Sequence, residues 1–414
     1  MPIRLGPHRR VWLGVGVVVL AVAVTAGILA IGLLRGWFDS SNIEGTSSGF
    51  EPTLAPRGAS SADSWPEYGF DAARTRANPA LRLHPPFRRT WEYDAGALLE
   101  FPPVIAAGRA VVGTNAGVAL AIDLRTGREQ WRRRLQGRVA SSPALAGDLA
   151  LFTTTRGRVI ALTAATGAPV WERNVGSAVE SSPLIVGDSA FIGTLAGRVM
   201  RLDVHTGGVR WSVRASGAVK ASLALAGHNL VVGDYSGHIT AFRSADGATV
   251  WKRTSPGQKL RGAGRFYGGP AVAYGRVFIG NVNGRVIALD QHTGEVAWVR
   301  VLGDFVYASP AVADRTVYVG SYDKRFYALD AVTGRVRWRV EAGERISGSA
   351  SVVGDVVYFS TIARRPADGR TFGLDARTGR RLLTQADGRY SPAVGIDGLL
   401  VLTGVHTLYG LVPR

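Results

Sequence analysis

Tryptophan recurs along this chain at a nearly constant interval, and that spacing constrains the fold more than any other feature of the sequence. Five of the six intervals between seven of the tryptophans are 40 residues, and one is 47 residues. A period near 40 residues indicates supersecondary units that cannot bury their own apolar faces alone and must pack against their neighbours. We therefore expect repeated small sheets rather than unrelated domains. The periodic residues are Trp91, Trp131, Trp171, Trp211, Trp251, Trp298 and Trp338.

Each period contains the same two segments. The first, for example SPAVADRTVYVGS at 309–321, occurs eight times. The second, for example GRVIALDQHTGEVAW at 284–298, occurs six times, with a degenerate copy at 371–382. Both consist of two apolar runs separated by a turn, the pattern of a β-hairpin. The sequence therefore predicts eight antiparallel blades of four strands each.

An Asp-x-x-Thr-Gly turn follows the third strand of most units. Its carboxylate can accept backbone N–H groups, and its glycine can adopt a positive φ. Thr163, Arg243 and Val412 replace the aspartate in three units. Because an essential catalytic acid would not recur in five repeats, we interpret the aspartates as turn residues. They are Asp123, Asp203, Asp290, Asp330 and Asp375.

The tryptophan follows the turn glycine by four residues, which places a large ring on the outer strand of a blade, where neighbouring blades meet. Trp91 has no preceding turn, whereas the last repeat ends at 407–411 without an outer strand. A strand near 89–93 is therefore expected to complete the last blade and close the ring. The predicted fold is an all-β, eight-bladed propeller over 65–414, closed by its N- and C-terminal strands and preceded by one transmembrane helix.

Residues 11–34 contain 24 consecutive positions without a charged side chain. As a helix rising ~1.5 Å per residue they would span roughly 36 Å, enough to cross a hydrocarbon core of about 30 Å. Three arginines lie within residues 1–10, so this segment is predicted to be a cytoplasmic tail and the propeller to lie outside the cytoplasm. We interpret 11–34 as an uncleaved signal anchor of a single-pass membrane protein. A signal peptide cleaved near 21–23 is the alternative.

Residues 35–64 are rich in Ser, Gly and Pro and too polar to bury a face. This composition predicts a flexible linker with a reach of about 25 to 30 Å. The propeller is therefore expected to stand off the membrane.

The pattern Ala-x-Asp-x-x-Thr-Gly-x-x-x-Trp and the segment SWPEYGFDAARTRANP at 64–79 resemble the PQQ-like β-propeller repeat family. No tryptophan here is followed by Asp, which disfavours the WD40 family. The resemblance extends over about 65–414 and implies an eight-bladed fold. It also implies two functions, a scaffold in cell-envelope assembly as in BamB, or a quinone (PQQ)-dependent dehydrogenase.

Several features disfavour an enzyme. The quinoprotein dehydrogenases of the resembled family add long insertions, calcium ligands, a catalytic Asp and usually a vicinal disulfide. This chain has no cysteine, and each blade contains about 40 residues, which leaves little room for insertions. No Asp, Asn or Glu cluster has calcium-loop spacing, and no histidines have zinc spacing. We predict no catalytic residue, no metal and no PQQ, and we interpret the recurrent Ser-Pro pairs as turn and packing devices. A Ser-His-Asp constellation assembled in space stays open.

The formal charge of +18 is compatible with nucleic acid, an anionic membrane surface or an acidic polymer as partner, or with a coding bias toward Arg. The predicted outside location disfavours nucleic acid. Two segments, 254–269 and 361–372, break the 40-residue period and are expected on the same face of the propeller. They and the hairpin turns of that face carry Lys259, Arg261, Arg265, Arg364, Arg365, Arg370, Arg158, Arg198, His238, Arg285 and Arg325.

These basic residues predict a ring that binds an acidic protein segment or an anionic envelope polymer. Solvated turn residues on an Arg-rich background are the alternative. The sequence as a whole favours a membrane-anchored, extracytoplasmic propeller that serves as a scaffold for protein partners in the cell envelope.

Overall fold

The computed structural model describes residues 42–52, 62–256, 264–365, 368–390 and 392–414. Within these residues the chain forms eight sheets, and each contains four antiparallel strands. In each blade the innermost strand is short, with three or four residues, and the other strands have five to eight residues. The prediction of an all-β, eight-bladed propeller of four-stranded blades is confirmed.

Two strands precede the first blade, β1 (Ala77–Asn78) and β2 (Phe87–Asp94). Blade 1 contains β3 (Val104–Ala106), β4 (Arg109–Gly113), β5 (Val118–Asp123) and β6 (Glu129–Arg134). Blade 2 contains β7 (Ala144–Ala146), β8 (Leu149–Thr153), β9 (Arg158–Thr163) and β10 (Pro169–Asn174). Blade 3 contains β11 (Leu184–Val186), β12 (Ser189–Gly193), β13 (Arg198–Asp203) and β14 (Val209–Arg214). Blade 4 contains β15 (Ala224–Ala226), β16 (Asn229–Gly233), β17 (His238–Arg243) and β18 (Thr249–Thr254).

Blade 5 contains β19 (Ala271–Ala273), β20 (Arg276–Gly280), β21 (Arg285–Asp290) and β22 (Val296–Val301). Blade 6 contains β23 (Ala311–Ala313), β24 (Thr316–Gly320), β25 (Arg325–Asp330) and β26 (Val336–Glu341). Blade 7 contains β27 (Ser351–Val353), β28 (Val356–Ser360), β29 (Arg370–Asp375) and β30 (Arg381–Ala386). Blade 8 contains β31 (Ala393–Ile396), β32 (Leu399–Thr403) and β33 (Thr407–Pro413), and its outer strand is β2.

The two ends of the propeller close the ring as the sequence predicts. Strand β2 pairs antiparallel with β33, from Phe87 opposite Pro413 to Asp94 opposite Thr407. This pairing covers the edge of β33 and gives the last blade its fourth strand, so the ring closes without a three-stranded blade.

The periodic tryptophans join each blade to the next. Trp131, the buried residue of the otherwise exposed β6, donates its indole N–H to the carbonyl of Ala164 in blade 2 at 2.9 Å. Its ring lies on Gly167 in the turn of blade 2, where a Cβ atom would come within 2.6 Å of the indole. Trp91, Trp171, Trp211, Trp251, Trp298 and Trp338 make the corresponding bond to the following blade.

The repeated aspartates organise the turns that receive these rings. Asp123 Oδ1 accepts hydrogen bonds from the backbone N–H groups of Arg125 and Thr126 and from the Thr126 hydroxyl. These bonds, above all those from Thr126, hold the pKa of Asp123 below its ordinary value. Gly127 then adopts a φ of 69°. The carboxylates therefore stabilise local backbone structure.

Residues 62–78, here named the plug, run inside the central channel and contact the innermost strand of every blade. Ala62 bonds to blade 8, Trp65 to blade 1 and Pro66 to blade 2. The Glu67 carboxylate accepts the Ile185 N–H of blade 3. Blades 4, 5, 6 and 7 each donate one backbone N–H group to a plug carbonyl. The acceptors are, in the same order, Ala72, Ala73, Thr75 and Arg76.

Residues 42–52, here named the strap, lie against the side of the propeller between blades 5 and 6. Ile43 forms an antiparallel bridge with Val299 of β22. Gly45 donates its N–H to the Thr333 carbonyl of blade 6, and Glu51 donates to Tyr274 of blade 5. Where the composition of 35–64 predicts a flexible linker, this part of it is instead fixed, because its backbone finds partners on both blades.

The other segments predicted before the propeller lie outside the described residues. These are the tail 1–10, the span 11–34 and the residues up to 41, together with 53–61. In the described part of the chain, no helix has the length and hydropathy needed to cross a membrane.

Candidate functional site

The links between strands divide the propeller into two faces. One face, here named the mouth face, carries the links between blades and the turns between the second and third strands. Leu135 and Val139 of one such link donate their N–H groups to Gly117 and Thr114 of one such turn. The segments 254–269 and 361–372 both belong to this face, although 257–263 and 366–367 lie outside the described residues.

A cavity of about 320 Å³ opens on the mouth face at the channel axis. Tyr68 of the plug forms part of its lining, so the plug closes the channel beneath it. Aromatic side chains dominate the rest of the wall, and their rings pack edge to face. The ring centroids of Tyr267 and Tyr307 are 4.8 Å apart, and those of Tyr307 and Tyr322 are 4.7 Å apart. The remaining aromatic lining residues are Phe101 and Tyr390.

The polar groups of this cavity already have partners within the chain. Lys220 lies 2.8 Å from Glu180 and 5.6 Å from the centre of the Tyr267 ring. Glu100 accepts a hydrogen bond from Asn115 at 3.1 Å. Burial, followed by the neighbouring Tyr322, raises the pKa of Tyr307, so its phenol stays protonated at neutral pH.

Serines at the inner ends of the blades form a belt around the channel. The Ser182 hydroxyl accepts the backbone N–H of Ser142, and the Ser222 hydroxyl accepts that of Ser182, both at 3.0 Å. Ser349 accepts from Ser309 in the same way and also contacts the Tyr68 hydroxyl at 2.7 Å. These hydroxyls therefore hold neighbouring blades together, as the packing interpretation of the Ser-Pro pairs expects.

The family resemblance raises the question of whether this cavity suits PQQ. A tricarboxylate quinone bound beside calcium needs several cations and a cluster of oxygen ligands. Of the cavity residues, Lys220 is paired with Glu180, and the Glu100 carboxylate is bonded to Asn115. No group of three or more His, Asp or Glu suited to a metal occurs among the described residues. This donor set does not match the requirements of PQQ and calcium.

The basic residues that begin the third strands lie on the mouth face but in unequal environments. Arg158 is 3.4 Å from Glu172, and Arg325 is 2.6 Å from Glu341. Arg198 donates to the Ser212 hydroxyl at 3.1 Å, and Arg285 is 5% exposed. His238 lies 3.8 Å from Asp234. Neighbouring side chains therefore neutralise or bury much of the ring that the sequence predicts.

The residues of the two longer segments differ in the same way. Arg265, Arg364 and Arg365 are exposed, whereas Arg370 is half-buried and donates to the Gly369 carbonyl. Lys259 and Arg261 lie outside the described residues. Among the described residues of these segments, Arg364 and Arg365 are therefore adjacent and exposed on the mouth face.

The sequence interpretation missed a cluster of arginines on the same face. Arg134, Arg138 and Arg156 line an open depression of about 510 Å³ between blades 1 and 2, with no acidic residue in its lining. All three side chains are exposed. They occupy a strand end, a link and a turn, so a search restricted to the first residue of each third strand does not find them.

A second missed feature is the set of grooves between blades on the outside of the propeller. The strap fills the groove between blades 5 and 6. There, Arg276 of β20 donates to the carbonyls of Val332 and Thr46, both at 2.6 Å. The Phe50 ring of the strap stacks on Tyr274 with centroids 5.3 Å apart and also lies 5.2 Å from the Arg276 guanidinium.

The groove between blades 2 and 3 has an equivalent cavity of about 570 Å³ that no described segment of the chain covers. Leu149 occupies the position of Arg276, because each is the first residue of the second strand in its blade. Trp171 bonds to the next blade as Trp298 does. Apolar and acidic side chains share the lining, which includes Leu145, Ile185, Val170, Asp148 and Asp188.

Comparisons with known proteins agree with this architecture. The solved structure of BamB from Moraxella catarrhalis superimposes with a TM-score of 0.67 at 19% identity, over 79% of this chain and 100% of that chain. A europium-containing methanol dehydrogenase gives 0.71 at 15% identity, over 84% and 90% of the two chains. The quinohemoprotein alcohol dehydrogenase from Comamonas testosteroni gives 0.72 at 17% identity, over 86% and 81%. At these identities the likeness establishes the fold alone.

No curated protein sequence matches the chain. The family model described as "Outer membrane protein assembly factor BamB" matches residues 115–266 and 236–391, which together exceed half of the chain. Those ranges contain all five turn aspartates, from Asp123 to Asp375, and the docking tryptophans of blades 1 to 6. The chain therefore belongs to the PQQ-like β-propeller repeat family that this model describes.

Proposed function

We propose that this chain is a membrane-anchored, extracytoplasmic scaffold whose outer grooves bind extended segments of protein partners in the cell envelope. The observation that carries the proposal is the strap. Ile43 adds its backbone to the outer edge of β22 by two hydrogen bonds of 2.9 Å to Val299, and Phe50 anchors the segment. The chain thus contains an example of what such a groove holds.

The open groove between blades 2 and 3 offers the same kind of surface. Strand β10 is the outer strand of blade 2, and Glu172 follows Trp171 as Val299 follows Trp298. A partner strand could therefore pair with the edge of β10, which is the usual way that a sheet edge recognises an extended peptide. Val170 at the groove is 49% exposed, and Asp148 and Asp188 lie at its rim. We propose a partner segment with an apolar or aromatic anchor and a basic residue.

We further propose that residues 11–34 anchor the chain in a membrane with the propeller outside the cytoplasm. The family resemblance to BamB supports a role in envelope assembly, and the strap begins within a few residues of the proposed span. Extraction of native membranes with alkaline carbonate should leave the chain in the pellet. The outer envelope of the cells is made permeable while the cytoplasmic membrane stays intact. Protease added from outside should then degrade the propeller.

A site-specific photocrosslinker tests the groove. We expect p-benzoylphenylalanine at position 170 to give a discrete protein adduct in native membranes. Lysine at positions 148 and 188 should remove the adduct, because reversed charge repels a basic segment. Position 250 of blade 4 is the matched control, since Val250 is 42% exposed at the corresponding place. Equal labelling at both positions would refute a groove-specific partner.

The basic residues of the mouth face are a separate candidate for the same role. We propose that Lys259, Arg261, Arg265, Arg364 and Arg365 add contacts to an acidic partner segment or envelope polymer, while nucleic acid is not expected. Reversing the charge at Arg261 and Arg364 should then weaken partner capture at low salt and leave the position-170 adduct in place. Unchanged capture would restrict docking to the grooves.

We propose no enzymatic role. The likeness to dehydrogenases supports the alternative, but Lys220 and Glu100 of the cavity at the channel axis are bonded to Glu180 and Asn115, and the described residues contain no group of three His, Asp or Glu suited to a metal. Mixing the purified protein with PQQ and calcium, followed by gel filtration, provides the test. Quinone absorbance that elutes with the protein would favour the dehydrogenase alternative.

A further inference from the structure

Two arginines are buried in the plug, and only one of them has an acidic partner among the described residues. Arg74, 0% exposed, lies 3.1 Å from Glu67 and donates to the carbonyls of Leu223 and Pro183. Arg76, 2% exposed, donates through Nη1 to the carbonyls of Arg74 at 2.7 Å and Pro310 at 3.1 Å. Its Nε and Nη2 atoms have no hydrogen-bond partner in the described structure.

A small, partly open space lies beside the Arg76 side chain. Arg76, Tyr68, Trp65 and Ser351 are among the residues that line it, and its volume is about 10 Å³. This volume is at the lower limit for one water molecule, so a monatomic ion is the largest anion that it can hold. It is too small for a sulfate, a phosphate or a carboxylate-bearing ligand.

A buried guanidinium without a counter-charge is energetically costly. Burial of an unpaired ion costs several kcal/mol even after relaxation, and an arginine does not escape by deprotonation because its ordinary pKa is above about 12. A water molecule would accept hydrogen bonds from these N–H groups but would leave the charge in place. A small anion would satisfy the free N–H groups and neutralise the charge together.

Tyr68 shows that the field at this point is positive. Its ring lies 4.8 Å from the Arg76 guanidinium. Burial acts to raise the pKa of Tyr68, but the charge of Arg76 and the hydrogen bonds from Ser349, Ser309 and Arg76 outweigh burial and lower it. Ionisation of this phenol is therefore the one alternative within the described chain for neutralising Arg76.

We propose that the plug of this propeller binds one chloride ion at the channel axis, against Nε and Nη2 of Arg76 and beneath Tyr68. The ion stabilises the folded state because it binds the assembled plug and has no such site in the unfolded chain. It also ties the plug to blades 1, 7 and 8, because Pro102 just before β3, Ser351 of β27 and Ala393 of β31 line the same cavity. The site is independent of any partner in the grooves.

Thermal unfolding of the full chain in detergent tests the proposal at constant ionic strength. Replacement of sodium gluconate by sodium chloride to 0.5 M should raise the unfolding midpoint by roughly 3 to 6 °C, as expected for a ligand near a hundred times its dissociation constant. Sodium bromide should act likewise. Sulfate stabilises proteins generally because it is excluded from their surface, so the rise that it causes should be the same in the native chain and in Arg76→Met. Arg76→Met should abolish the chloride response. Arg276→Met should retain it, since Arg276 is also buried but bonds to four carbonyl groups.

Crystals grown in bromide keep the proposal testable if the Arg76 variant does not fold. An anomalous peak within about 3.5 Å of Arg76 Nη2 would support the ion site. Density for a water without anomalous signal would overturn it. Tyrosinate absorbance near neutral pH that disappears in Tyr68→Phe would also overturn it, because the phenolate would then be the counter-charge.

Discussion

The groove between blades 5 and 6 and the groove between blades 2 and 3 have the same strand framework, yet one is filled by the strap and the other is open. In the filled groove, Trp298 is 0% exposed and the outer strand β22 is largely covered. In the open groove, Trp171 is half-buried and β10 is exposed at almost every position. The repeat supplies the groove, and a few side chains outside the repeat pattern decide what occupies it.

The deciding side chains are at the hairpin between the first two strands. Blade 5 has Tyr274 and Arg276 there, and they hold the aromatic ring and the carbonyls of the strap. Blade 2 has Gly147 and Leu149 at the same places, which leaves a cavity lined by apolar and acidic side chains. The aromatic ring and the buried cation of blade 5 therefore select the strap for its own groove, and blade 2 has neither.

The largest expected effect compares a tryptophan under the strap with a tryptophan at a junction that the strap does not cover. Trp298→Ala should lower the free energy of unfolding by an amount near the upper end of about 3–5 kcal/mol, because it leaves a cavity under the strap. Trp211→Ala, at a junction that the strap does not cover, should fall near the lower end. Denaturant titrations of both variants provide the measurement. Equal losses would show that the strap adds nothing to the burial of Trp298.

Arg276→Ala should have the next largest effect, about 2–3 kcal/mol, because charge-assisted bonds to the strap and to blade 6 are lost. Arg109→Ala is the matched control, since Arg109 also begins the second strand of its blade but donates to the exposed Gln130. Its effect should stay below about 0.5 kcal/mol. Hydrogen exchange of residues 42–52 should accelerate in the first variant and not in the second.

Phe50→Ala should release the strap with a smaller effect of about 1–2 kcal/mol, because the ring is only partly buried. The Val299 amide, which bonds to Ile43, should then exchange faster. The Val213 amide of blade 3 is a suitable internal reference. Unchanged exchange at Val299 would mean that backbone pairing alone holds the strap.

The smallest effect concerns the ion pair between Glu44 and Arg335, at 2.8 Å. The hydrogen bond from Arg335 lowers the pKa of Glu44 below 4.5. Because the folded-state pKa is depressed, the pair stabilises the strap above pH 4.5 and this contribution is lost as the pH falls through the folded value. Protection of the strap amides, corrected for intrinsic exchange, should decrease in that range in the native chain and not in Glu44→Gln. Salt should weaken the same effect.

Much of the fold follows from local pattern, whereas the candidate sites do not. The spacing of Trp131 and Asp123 is enough to predict the blade, because the residues that these two side chains bond to lie within one or two repeats along the chain. The composition of 35–64 predicts a linker and gives no sign of the strap. The strap is held by backbone hydrogen bonds to blades 5 and 6, and these do not depend on apolar side chains. Arg158 and Arg325 are basic in sequence but paired with Glu172 and Glu341 in space.

The sequence by itself determined the repeat, its turns, the number of blades and the pairing of β2 with β33. These depend on periodic burial and on turn chemistry, which act over short distances along the chain. The tertiary structure alone decided that Arg76 faces an empty space beneath Tyr68, that Arg276 meets the strap and that the groove at Leu149 stays open. Such features arise where distant segments meet at the axis or side of a closed ring, so their energies depend on contacts that no local pattern encodes.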